Sequence, residues 1–147
     1  MVSAGDVSGS VVVTNAEFWG AASATVEYNA TGFTDYKQNG GNVIARRVGT
    51  TMNIYGGNLT LDAAAGAITT INLIGGNLNL LSSGTITTFN HYGGRVNVRD
   101  VQIAITITNC NVYPMANPMD WVNKPALLTV TPSFKGRSVG GNFPLII

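Results

Sequence analysis

One nine-residue frame limits what this chain can fold into. Ile68-Thr69-Thr70-Ile71-Asn72-Leu73-Ile74-Gly75-Gly76 recurs in degenerate form along most of the 147 residues. The clearest copies are Ile86–Gly94, Gly49–Gly57 and Ile107–Pro114; weaker ones are Val13–Gly20 and Phe33–Gly41. The second position is Thr14, Thr34, Thr50, Thr69, Thr87 and Thr108, at steps of 16 to 21 residues. A fixed polar residue recurring at that interval is the signature of stacked supersecondary units, none of which can bury its apolar face alone.

The copies align into columns with distinct chemistry. Val13, Phe33, Gly49, Ile68, Ile86 and Ile107 form one, and Ala16, Tyr36, Met52, Ile71, Phe89 and Cys110 another. Both are mostly apolar and are expected to point inward, each large side chain contributing about 1.5–3 kcal/mol on burial. Between them lie the Thr column and a second polar column, Asn15, Asp35, Thr51, Thr70, Thr88 and Asn109, suited to a bend. Glu17, Lys37, Asn53, Asn72, Asn90 and Asn111 follow. Stacked at the strand spacing of about 4.8 Å, these asparagines form an amide ladder, with Glu17 and Lys37 as an opposite-charge pair.

After each Gly-Gly pair a second strand is expected: Leu59 and Leu61, Leu78 and Leu80, and Val96 and Val98 alternate with polar neighbours. Length varies only in the loop that follows. These features predict an all-β, single-domain β-solenoid of about six short coils. An antiparallel β-sandwich is the alternative, because hairpins with glycine turns also give short alternating strands. The predicted layout is a flexible arm over residues 1–9, a solenoid body over 10–113 and a cap or partner-binding arm over 114–147. All five prolines fall in that last segment, and prolines suppress pairing at an exposed sheet edge.

Chemistry-bearing residues are sparse. Charged residues make up 10% of the sequence and the formal net charge is +1, so no strong field draws in nucleic acid or an acidic membrane surface. No apolar run approaches the roughly 20 residues of a membrane span, and Met1–Ser10 lacks the pattern of an export signal. A protein made and kept without a classical export signal, with neither nucleic acid nor membrane as partner, is expected. No two of the seven carboxylates share a column on adjacent coils, so neither a glycosidase dyad nor a Ca²⁺ cluster is expected. His91 shares the inward column of Ile54 and Leu73, and Cys110 that of Phe89. The reading is a non-enzyme without catalytic residues, metal site or cofactor. Asp62 falls beside Arg46 on a neighbouring coil, as a surface ion pair.

The column with most functional content is Trp19, Asn39, Tyr55, Ile74, Tyr92 and Tyr113, which alternation points outward. Trp19, Tyr55, Ile74, Tyr92 and Tyr113, with Trp121 of the tail, are the candidate interface, since aromatic rings favour contact surfaces. The same stripe could stack on sugar rings. The Thr column suggests an ice-binding array, but the residue two after each Thr is apolar or aromatic, as at Ile71 and Phe89, where such arrays carry another Thr.

The assembled frame, Thr-Thr-apolar-Asn-apolar-Tyr/Ile-Gly-Gly-Asn over Val13 to Tyr113, resembles the degenerate β-solenoid repeats of small tailed-bacteriophage virion proteins. Similar repeats occur in phage tailspikes and fibres and in bacterial surface passengers. The resemblance implies a structural virion component: a homotrimeric capsid decoration (cement) protein, made in the host cytoplasm and gripping the major capsid protein or another virion protein. A passenger would carry an export signal, and a tailspike would be longer. A glycan-binding tail or receptor-binding module is the alternative, and an ice-binding or surface-adhesin solenoid the second.

Overall fold

The computed structural model describes residues 15–20, 25–28, 34–46, 49–62, 67–82, 84–121 and 124–136. The predicted 1–9 arm, Val11–Val13, Thr14, Phe33 and Phe143–Ile147 lie outside them.

The chain alternates between two parallel sheets. One contains β1 (Asn15–Phe18), β3 (Asp35–Gln38), β5 (Thr51–Ile54), β7 (Ile68–Leu73), β9 (Ile86–His91), β11 (Ile105–Val112) and β12 (Leu128–Phe134), stacked in that order. The other stacks β2 (Thr25–Tyr28), β4 (Asn42–Ala45), β6 (Asn58–Asp62), β8 (Asn77–Ser82) and β10 (Arg95–Asn97). Every pairing among the described residues is parallel, which is the β-solenoid and excludes the antiparallel sandwich. The register reproduces the sequence columns: Tyr36, Met52, Ile71, Phe89 and Cys110 are successive partners, as are Lys37, Asn53, Asn72, Asn90 and Asn111.

One apolar core runs between the sheets. Met52, Ile54, Ile71, Leu73 and Phe89 from the seven-stranded sheet meet Leu59, Leu61, Leu78, Leu80 and Val96 from the other. The period of two breaks once in each of β7, β9 and β11. Ile68 and Ile71 are both buried although two residues separate them, because Thr69 and Thr70 form an outward bend. The amides of both threonines donate to the Thr50 carbonyl, at 3.0 and 2.9 Å. The polar pair at this position thus brings two apolar columns onto one core.

The Gly-Gly corner joins the sheets. Gly41, Gly57, Gly76 and Gly94 have φ of 77°, 80°, 78° and 75°, a region that L side chains rarely adopt. Crowding adds a second constraint. A Cβ on Gly76 would lie 2.5 Å from the Gly57 carbonyl oxygen, and one on Gly75 would lie 2.6 Å from that of Tyr55. Both corner positions are therefore closed to any side chain by the preceding coil.

The coil count differs from expectation. Among the described residues there are five two-strand coils, followed by two rungs, β11 and β12, in the seven-stranded sheet alone. The repeat frame ends near Tyr113, but the ladder does not: β12 pairs with β11 along most of its length. The regular frame hid β12 because Pro132 lies within it; the terminal position of this strand accommodates a residue that cannot donate to a ladder.

Beyond β10 the second sheet is closed by a 3₁₀ turn, Pro118–Trp121. The Val96 amide, which a further strand would have paired, donates to Asp120 Oδ2 at 2.8 Å. Trp121 is 3% exposed, so its expected place on an interface is corrected. Its indole packs edge-on against Phe89 at 5.1 Å and fills the open end of the core. It also donates Nε1–H to His91 Nδ1 at 3.1 Å. Indole N–H is only a donor, so Nδ1 accepts and the imidazole proton sits on Nε2, 3.3 Å from the Gly94 carbonyl oxygen. In earlier coils the equivalent carbonyls of Gly57 and Gly76 accept from Asn77 and Arg95 amides; at the last coil the histidine takes over.

Two outcomes check this account. Gly76→Ala should cost at least about 2 kcal/mol, combining the positive-φ penalty with displacement of the neighbouring coil, and lower Tm by about 5 °C or more. Gly136, with open space around it, should tolerate alanine within about 0.5 kcal/mol. Burial holds the His91 pKa below its ordinary 6.5, against smaller upward pulls from the Gly94 carbonyl and the Asp120 carboxylate. The unfolded chain therefore takes up the proton first. Stability is full above about pH 6.5 and falls as pH drops through the window between that value and the lower folded one. Protonated Nδ1 would also face the Trp121 donor. His91→Gln can satisfy both neighbours without titrating, and thermal melts should show a shallower fall for it over that window.

Candidate functional site: an outward aromatic stripe and a polar groove

On the outer face of the seven-stranded sheet, the residue after each strand carries the stripe. Trp19 is 76% exposed, Tyr55 47%, Ile74 40% and Tyr92 38%, with Tyr113 partly exposed at the end. Tyr92 and Tyr113 stack at 4.3 Å between ring centroids, 24° from parallel. Burial, then the hydrogen bond with Tyr113, raises the Tyr92 pKa above its ordinary 10. Asn39 interrupts the aromatic column, and its amide donates to Glu17 Oε1 at 2.9 Å. Lys37 fills the interruption, its ammonium lying 5.8 Å from the Trp19 ring centroid and 5.9 Å from that of Tyr55. Such cation–ring contacts are weak at exposed sites, where water competes for the ammonium. Lys37 is also paired with Glu17 at 2.8 Å. Hydrogen bonding to each other lowers the Glu17 pKa and raises that of Lys37. The stripe is thus continuous from Trp19 to Tyr113, and Trp121 is not part of it.

Beside the stripe stands the amide ladder. Asn72 donates Nδ2–H to Asn53 Oδ1 at 2.8 Å, Asn90 to Asn72 at 2.9 Å and Asn111 to Asn90 at 2.9 Å. Each amide donates toward the preceding coil. Thr34, Thr50, Thr69, Thr87 and Thr108 all lie exposed along the same face. The predicted Arg46–Asp62 pair is present at 3.2 Å, an exposed contact contributing at most about 1 kcal/mol.

Several structural residues were missed by the sequence reading. A second ladder runs along the other sheet, Asn77 to Asn58 at 2.7 Å and Asn58 to Asn42 at 2.6 Å; the signal was the asparagine that follows Gly41, Gly57 and Gly76. Gln38 is buried and donates to the carbonyls of Gly40, Gly41 and Asn58, while Tyr36 donates to its Oε1. Gln38 and His91 share a column of inward positions, and both serve the backbone of a glycine corner.

A groove of about 670 Å³ opens where the outer face of β8 and β10 meets the 3₁₀ turn. Asn77, Asn79, Arg95, Asn97 and Arg99 line its floor, with Met119 and Asp120 on the capping side. Asp100 accepts from Asn97 Nδ2 at 2.9 Å. Asp120 is occupied by Val96 and by Asn117 Nδ2, the latter at 3.2 Å.

Little else in the described residues offers reactive chemistry. No group of three or more His, Cys, Asp and Glu could hold a metal ion among them, and no helix is long and apolar enough to cross a membrane. Cys110 is buried, and burial pushes its thiol up to about 12. A thiol-specific disulfide reagent at pH 8 should therefore leave Cys110 unmodified in the native protein and label it on denaturation; rapid native labelling would place it elsewhere. No family model, curated protein or solved structure matches this chain.

Proposed function

We propose that the protein is a non-enzymatic structural component whose aromatic stripe packs against sister subunits. Its most specific form is a homotrimeric decoration protein on a bacteriophage capsid, held to the major capsid protein or another virion protein. The virion assignment rests on the resemblance of the repeat. The interface assignment rests on one observation, the continuous exposed line from Trp19 to Tyr113 on a hydrogen-bonded sheet. Apolar and aromatic side chains fixed on rigid rungs lose little freedom on docking, which lowers the entropic cost of association. Trp and Tyr are the residues most often found at the energetic centres of such contacts.

A non-enzymatic role is supported by how the titratable groups are used. His91 joins the cap to the last glycine corner, Asp120 closes a strand edge, and Glu17 and Asp62 are paired with cations. On a repeated lattice, modest contacts add through avidity.

The mass of the intact chain in solution, measured by light scattering from low to high micromolar, tests the reading. A trimer is expected, and Tyr55→Ser with Tyr92→Ser should shift it at least tenfold toward monomer without changing the β circular dichroism signal. A wild-type chain that stays monomeric and fails to co-sediment with capsids would refute it.

A further inference from the structure

We infer that the groove over β8 and β10 is a binding site for an acidic saccharide, a chain of sugars bearing carboxylates. Arg95 and Arg99 are exposed and line this groove, and neither guanidinium has a hydrogen bond or ion pair with any described residue. The contrast with neighbouring charges is informative. Arg46 is paired with Asp62 and Lys37 with Glu17, whereas the two carboxylates of the groove, Asp100 and Asp120, accept from amide donors and form no ion pair with either arginine. Two planar guanidinium forks in one concavity match carboxylate geometry.

The rest of the lining selects the kind of carboxylate. Asn77 gives its Nδ2–H to Asn58, but its Oδ1 ends the ladder, because the next residue in that column is Arg95. Asn79 likewise directs its Nδ2 at Thr60, at 3.4 Å, and its Oδ1 has no partner among the described residues. The floor therefore presents amide acceptors beside cationic donors, a pattern that hydroxyls flanking a carboxylate satisfy. A peptide fits less well. It would need an open strand edge or apolar pockets, yet the Val96 amide is already taken by Asp120 and Met119 is the one large exposed apolar side chain among the lining residues. The site lies on the sheet opposite the aromatic stripe and does not depend on the interface reading.

Calorimetric titration of the full chain with an oligosaccharide of uronic acids tests the inference, with its methyl-esterified form and oligoglutamate as comparisons. The uronate oligosaccharide should bind at least tenfold more tightly than either, and binding should weaken as salt rises. Arg95→Gln with Arg99→Gln should reduce affinity tenfold or more while leaving Tm unchanged, since both side chains are exposed. Backbone amide shifts on titration should centre on residues 95–100. Equal binding of the esterified form, equal or tighter binding of oligoglutamate, unchanged affinity in the double variant, or no binding at millimolar ligand would each overturn it.

Discussion

Parallel, in-register pairing at about 4.8 Å is the constraint on which the rest of this molecule depends. It places each residue directly against its counterpart one coil away, so every column must tolerate its own repetition. Asparagine succeeds because an amide both donates and accepts, and the column Asn53, Asn72, Asn90 and Asn111 satisfies itself. Like charges fail, so where the column becomes charged it does so in opposite signs, Glu17 beside Lys37. Apolar columns succeed by stacking into one core. At the corners, where backbone meets backbone, only glycine can repeat.

The same constraint makes the ends the weak points, because the last coil lacks the neighbour that satisfies all the others. The chain meets this with substitutes of different chemistry. Asp120 supplies the acceptor a strand would have offered, His91 supplies the donor for a corner carbonyl, and Trp121 packs edge-on against Phe89 where the second sheet has no further strand. The cap is therefore a set of side-chain imitations of a missing rung, concentrated in a few residues. Its reliance on a neutral buried histidine gives this end of the rod a dependence on acidity that the asparagine ladders lack.

The body was legible because repetition exposes registration: matching Met52 with Ile71 and Phe89 requires no knowledge of the fold. Orientation followed from alternation, which placed Tyr55 and Tyr92 outside and His91 inside. The terminal region was not legible for the converse reason. β12 and Trp121 belong to no copy of the frame, so nothing in their local pattern separates a final rung and a core plug from a free arm. The groove arginines escaped notice because a column alignment shows which residues stack, but not which stacked residues are left without a partner.

The direction of the amide ladder has a further consequence. Reversing one amide, at Asn72 for example, would set donor against donor on one side and acceptor against acceptor on the other, whereas reversing the whole column would create no internal mismatch. The four side chains therefore behave as a chain of coupled dipoles with two uniform states, and only its termini, at Asn53 and Asn111, determine which is occupied.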